Sequence, residues 1–377
     1  MPLALYLLAV AVFAMGTSEF MLAGLLPDIA ESLGVTVAPA GLLTTAFAVG
    51  MVIGAPLMAA VARRWPARHA LLAFVLVFAA AHVVSALLTN FPVLVVARVI
   101  AAVANAGFLA VALTTAATLV AGDQKGRALA VLLSGTTVAT IAGVPAGAAL
   151  GTLLDWRATF WAIALLCLPA ALGVVTGIPA PTEPARAGAP RVSLRSELHQ
   201  LSTPRLMLVM LLCALVNAAT FGTLTYLAPI VTDTAGLSEL WVSIVLVLFG
   251  FGSFLGVSVA GRLADRTPGR VLAIGGPLLL VGWVALGLLA TRPVALLLLV
   301  FVQGTLSFAL GGTLITRVLY VASAAPTMGG SYATASLNIG AAGGPALAAV
   351  TLGSGDSEVG PVWVSVLLVA VALAVAF

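Results

Sequence analysis

GVSVAGRLADRTPGR, residues 256–270, sets three cations, one acid and a Pro-Gly break between two long apolar runs. GAPLMAAVARRWPAR, residues 54–68, stands 202 positions earlier, and the two stretches align without a gap. Gly54 falls on Gly256, Arg64 on Arg266, Pro66 on Pro268 and Arg68 on Arg270. The same offset pairs Pro27 with Pro229, Gly34 with Gly236 and Gly50 with Gly252. Roughly one such Gly, Pro or Arg coincidence is expected by chance over this length, so seven at one offset mark an internal duplication.

Composition says what the two copies are dissolved in. Hydrophobic residues make up 62% of the 377 and charged residues only 7%, with a mean hydropathy of +1.22. Soluble domains carry about 25% charged residues, so this chain cannot clothe a water-facing surface and belongs in a bilayer. Apolar runs of about 20 residues are the length of a membrane-crossing helix. They fall at 3–26, 40–61, 69–89, 92–120, 128–151, 159–178, 206–231, 240–261, 271–290, 294–315, 328–350 and 360–377. The expected fold is an all-α integral membrane protein with twelve transmembrane helices in two pseudo-symmetric six-helix halves, 1–178 and 206–377. Residues 179–205, rich in Pro, Ala and Arg, form a cytoplasmic linker with a short surface helix at 193–201, on which His199 is solvated. The first run lacks the basic leader of a signal peptide and is read as a retained span. The last run reaches the chain end, so a C-terminal tail is expected to be absent or removed.

Charges on alternate loops orient the chain. Thirteen basic residues lie on one side and only Arg157 and Arg292 on the other, which also holds Asp28, Glu31, Asp155, Asp233, Glu239, Asp356 and Glu358. Basic loops stay in the cytoplasm, so both termini are expected there, in a bacterial plasma membrane. This one-sidedness accounts for the +4 net charge without a nucleic-acid partner. Cys167 and Cys213 fall inside apolar runs and read as small core residues. Three scattered histidines have no metal-ligand spacing, and neither H-E-x-x-H nor a phosphate-binding G-x-x-x-x-G-K-[ST] occurs. A metal, a cofactor, a membrane-embedded enzyme and a nucleotide-driven pump are all disfavoured.

Motifs then name a family. GRLADRTPGR resembles the cytoplasmic loop of major facilitator transporters, whose parallel repeats place a binding site between two six-helix halves. By that resemblance Asp265, Arg266 and Arg270 form a cytoplasmic gate. In the first half Arg63 replaces the loop's Asp and Ala67 its second Gly, which leaves positive-inside anchoring as an equal account there. GTTVATIAGVPAGAALG, residues 135–151, is similar to the Pro- and Gly-rich fifth-span motif of antiporters, carried here by Gly143, Pro145 and Gly147. Close helix packing explains the same spacing. GTSEFMLAGLLPDIAESLGV with LLDWRATF (153–160) resembles twelve-span drug:proton antiporters, and within them the bacterial chloramphenicol-resistance permeases. The resemblance implies a proton-coupled antiporter that exports small lipophilic compounds by alternating access, working as a monomer among membrane lipids. A sugar or metabolite exporter of the same fold is the alternative.

Two charges remain inside the spans. Glu19 interrupts LALYLLAVAVFAMGTSEFMLAGLL, and Arg98, in FPVLVVARVIAAVANAG, matches the family's buried arginine although Ala102 replaces the glycine four residues on. Each lies about seven residues from its periplasmic end, or roughly 10 Å deep, so the two could pair. Charges in hydrocarbon are costly. One reading is a structural ion pair; the other is that Glu19 gains and loses a proton while Arg98 tunes it. Further polar positions share helical faces: Asn105 after Arg98, the stripe Asn217, Phe221 and Thr225, and the pair Gln303 and Ser307. They suggest a mostly apolar substrate cavity with few polar anchors, and ordinary interhelical hydrogen bonding is the competing account. His82 reads as satisfied helix packing.

Overall fold

The computed structural model describes residues 2–35, 40, 42–63, 65–178, 193–263, 266–352 and 358–376, and among them there is no strand. The first repeat begins with α1 (Leu3–Phe20), a 3₁₀ turn (Met21–Gly24) and the short α2 (Leu26–Ser32). Then follow α3 (Leu42–Ala62), α4 (Ala67–Leu87) and α5 (Phe91–Thr118). The helices α6 (Lys125–Val138) and α7 (Val144–Leu153) are joined by a π turn (Ala139–Gly143), and α8 (Trp156–Gly177) follows. The linker contributes α9 (Leu194–His199). The second repeat comprises α10 (Pro204–Thr225), α11 (Glu239–Leu263), α12 (Pro268–Leu289), α13 (Pro293–Val321), α14 (Gly329–Leu352) and α15 (Gly360–Ala376).

Among the described residues nine helical segments are long and apolar enough to cross a membrane, and two shorter apolar helices, Leu3–Glu19 and Gly360–Ala376, lie at the two ends. Twelve were expected. The first falls short because α1 gives way to the 3₁₀ turn at Met21. Leu153, Leu172, Val281 and Leu298 stand more than half exposed. Apolar side chains displayed on this scale suit lipid, not water. Local signals set the helix starts. Asn90 accepts the Val93 N–H at 3.3 Å ahead of Pro92, and Asp155 accepts the Arg157 N–H at 3.3 Å. In each of these helices one orphan N–H of the first turn gains a partner this way.

The duplication survives as geometry. Gly34 and Gly236 are the positive-φ residues of the described chain, both at φ 66°. A Cβ on Gly50 would meet Ala102 at 2.7 Å and the Val99 carbonyl at 3.3 Å, whereas one on Gly252 would strike the Phe301 carbonyl. A Cβ on Gly54 would meet Val103 at 2.9 Å, and one on Gly256 the Thr305 carbonyl. Phe301 and Thr305 are Val99 and Val103 advanced by 202. So α3 seats on α5 in the register in which α11 seats on α13, with glycine wherever the backbones nearly touch.

The chain divides into two compact units. One comprises residues 1–122, 131–206 and 319–335; the other 123–130, 207–318 and 336–377. The linker helix α9 and the beginning of α14 therefore share a unit with the first repeat.

Candidate functional site

The last turn of α1 carries three successive polar residues, Thr17, Ser18 and Glu19. Thr17 Oγ1 donates to the Phe13 carbonyl at 2.8 Å. Ser18 is fully buried and receives Arg98, itself buried, from about two turns into α5. One terminal nitrogen of the guanidinium donates to Ser18 Oγ at 2.8 Å and the other to the Ser18 carbonyl at 3.3 Å. The group lies over the Phe47 ring, 4.3 Å from its centroid, an attractive arrangement for a cation. Its Nε has no partner.

Ser18 Oγ is also 2.6 Å from His82 Nε2, and His82 Nδ1 is 2.8 Å from the Phe78 carbonyl. A carbonyl only accepts, so Nδ1 carries the hydrogen; in the neutral ring Nε2 then accepts the Ser18 hydroxyl proton. The donors run in one direction, from Arg98 to Ser18 to His82 to the Phe78 carbonyl. The imidazole lies 4.2 Å from the Phe78 ring and 5.7 Å from that of Phe160, centroid to centroid. His82 is thus satisfied packing, as expected, but its partner belongs to the site.

Glu19 is half-buried and within Coulombic reach of Arg98. It is neither a hydrogen-bond partner nor an ion-pair partner of the guanidinium. The expected direct pair is replaced by Ser18. Consecutive helical residues point about 100° apart, and the face of α1 turned to Arg98 is that of Ser18.

The glycines of residues 143–151 pack on the same stretch of α1 and its continuation. A Cβ on Gly143 would meet Thr17 at 2.8 Å, one on Gly147 Met21 at 3.0 Å, and one on Gly151 the side chain of Leu25. Glycines four apart receive residues four apart, as in two parallel helices in close contact. Pro145 falls in the first turn of α7, directly after the π turn. Asn105 lies two turns beyond Arg98 on α5 and is buried.

The other polar positions belong to the second unit. Asn217 donates from Nδ2 to the Leu337 carbonyl at 2.6 Å, and Gln303, fully buried, donates to the Leu279 carbonyl at 3.2 Å. Gln303 Oε1 and Ser307 Oγ have no partner. Phe221 is half-buried, and Thr225 is exposed, its hydroxyl donating back to the Phe221 carbonyl at 2.8 Å. Gln303 borders a narrow cleft, with room for little more than a water molecule, whose wall includes Thr220, Thr223, Phe249 and Trp283.

Arg266 and Arg270 are exposed, and Asp265 lies outside the described residues. Among the described residues no group of three His, Cys, Asp or Glu is placed to hold a metal.

One buried acid escaped sequence reasoning. Glu197, on α9, is only 2% exposed. Its Oε1 accepts the Thr327 hydroxyl at 2.5 Å; its Oε2 accepts the backbone N–H of Thr327 at 3.0 Å and of Met328 at 2.9 Å. The Tyr332 hydroxyl donates to the Glu197 carbonyl at 2.8 Å. The carboxylate caps the entry to α14, where unpaired amides and the helix dipole favour an anion. An acid between Leu194 and Leu198 was the available signal, but acids in polar linkers are ordinarily solvated.

The family model described as Major Facilitator Superfamily matches residues 8–349. The chain belongs to that superfamily. A chloramphenicol resistance protein of Streptomyces lividans is 70% identical over 379 aligned residues, covering 100% of this chain and 96% of the relative. The inner membrane transport protein YdhP of Escherichia coli K12 is 32% identical, covering 92% and 88%. Among solved structures the transporter FucP in its outward conformation is similar, with a TM-score of 0.79 over 99% of this chain and 97% of that one, at 17% identity. This superfamily member is a multi-pass membrane transporter, not an enzyme.

Proposed function

We propose that this transporter is a proton-coupled antiporter that exports small lipophilic drugs, chloramphenicol among them, by alternating access. The full-length likeness to a chloramphenicol resistance protein carries the reading. In it Glu19 carries the proton, and Arg98 governs how readily it does so. Asn105, Asn217, Phe221, Thr225, Gln303 and Ser307 contribute to a sparse, mostly apolar substrate cavity. Asp265, Arg266 and Arg270 act at a cytoplasmic gate. Gly143, Pro145 and Gly147 hold the fifth span against the first. α1, α14 and α15 also cross the membrane, which makes twelve spans in halves 1–178 and 206–377, with both termini in the cytoplasm of a bacterium. The working unit is a monomer in lipid.

Exchange of one proton for one neutral drug molecule moves one charge. A potential of ~100 mV supplies about 2.3 kcal/mol, and one pH unit adds about 1.4. Together these sustain a drug gradient of a few hundred-fold. The test compares wild type with Glu19→Gln in proteoliposomes under an imposed pH gradient, following labelled chloramphenicol and proton flux together. Glu19→Gln is expected to stay folded and to abolish concentrative transport, because an amide cannot titrate. A variant that still concentrates the drug with undiminished proton movement refutes the assignment.

A further inference from the structure

A guanidinium in an apolar interior needs acceptors for its donors. Arg98 finds two, both on Ser18, although a carboxylate stands at the very next residue. Two features make Ser18 a good acceptor. His82 Nε2 draws the hydroxyl proton to itself at 2.6 Å, which turns the oxygen's lone pairs toward Arg98. His82 is free to accept because its other nitrogen is committed to the Phe78 carbonyl. In addition, the Ser18 carbonyl lies in the last turn of α1, just before the 3₁₀ turn. Carbonyls there lack a full set of intrahelical partners, and the negative end of the helix dipole favours a cation.

We propose that Ser18 and His82 form a second docking place for the Arg98 guanidinium, the one it occupies while Glu19 carries a proton. The proposal rests on the reading of Glu19 as proton carrier and specifies how that site is regulated. When Glu19 ionises, its carboxylate competes for the same guanidinium, whose Nε is still unpartnered. When Glu19 is protonated, the hydroxyl and carbonyl of Ser18 keep the cation satisfied. Without this neutral alternative the guanidinium has only the carboxylate to turn to, and a lasting ion pair resists protonation. Phe47 from α3 and Phe160 from α8 supply apolar walls, and among the described residues the titratable groups in electrostatic contact with Arg98 are Glu19 and His82. His82 is on this account a positioning residue, acting on the proton carrier through Ser18 and Arg98.

The experiment measures the pH profile of gradient-driven chloramphenicol transport in proteoliposomes. It uses wild type, His82→Leu, Ser18→Ala and His82→Gln, each also combined with Glu19→Gln. His82→Leu and Ser18→Ala are expected to move the midpoint of the profile toward acid by about one pH unit. His82→Gln, whose amide oxygen can still take the Ser18 proton, is expected to return most of the way to wild type. Ser18→Ala removes a single oxygen and serves alone if His82→Leu does not fold. A Glu19-dependent profile that both variants leave in place overturns the docking proposal only. So does a His82→Gln protein displaced as far as His82→Leu. A profile indifferent to Glu19→Gln overturns the proton-carrier reading, and the docking proposal falls with it.

Discussion

Glu197→Ala takes away an acceptor that three donors share. The carboxylate is 2% exposed and holds the Thr327 hydroxyl and the amides of Thr327 and Met328 at 2.5–3.0 Å. A hydrogen bond to a charged group contributes about 1.5–3 kcal/mol. The three share one anion, and truncation admits water to some of the donors, so the expected loss is about 3 kcal/mol rather than the sum. At about 2 °C per kcal/mol for a chain of this size, the melting temperature falls by about 6 °C. Glu197→Gln is gentler. Its amide oxygen can serve the two backbone N–H groups, and the Thr327 hydroxyl can rotate to accept from the amide nitrogen, so about half the loss is expected. Cys167 and Cys213 are both free and buried. A thiol-reactive fluorophore therefore reports their exposure on heating in detergent. Glu197→Ala melting indistinguishably from wild type refutes the cap as a source of stability. Glutamine falling as far as alanine refutes the assignment of its acceptors.

Gly34→Ala and Gly236→Ala are expected to cost about 1 kcal/mol each, in equal measure, because both sit at φ 66° with open space around an added Cβ. The same melt checks this, and a loss at only one position contradicts their equivalence in the repeat. Orientation is tested with single cysteines at the exposed positions Thr291 and Gly269. An impermeant thiol reagent applied to intact cells is expected to label the first and not the second, as the distribution of basic residues requires; reversed labelling overturns the inward placement of the termini.

The duplicated architecture could be read because its signals are backbone requirements. Gly50, Gly54, Gly252 and Gly256 sit where two helices nearly touch, and a Cβ there has nowhere to go. Glu19 and Arg98 stood out because charge is scarce and expensive in hydrocarbon. What could not be read was the partner. Serine is common in such helices and signals nothing by composition. Whether Ser18 or Glu19 meets Arg98 turns on a rotation of about 100° per residue, which apolar runs this uniform leave undetermined. The end of α1 at Phe20 was likewise invisible, since MLAG is as apolar as what precedes it. Glu197 was hidden for the opposite reason. It stands in a largely polar linker, and its burial depends on Thr327 and Met328, about 130 residues away.

The helix that carries Glu197 is also a natural reporter. Arg195 is exposed two residues before the buried carboxylate, on a helix of only six residues. A protease needs an opened stretch of chain, so its cutting rate follows how often the local structure opens. For trypsin to cut after Arg195, α9 has to unwind, and unwinding draws Glu197 out of its seat at Thr327 and Met328. The cleavage rate at this one bond therefore counts departures of the carboxylate in the unmodified protein, with no label attached. Any drug, pH or lipid that changes the count has acted on the chain between the repeats.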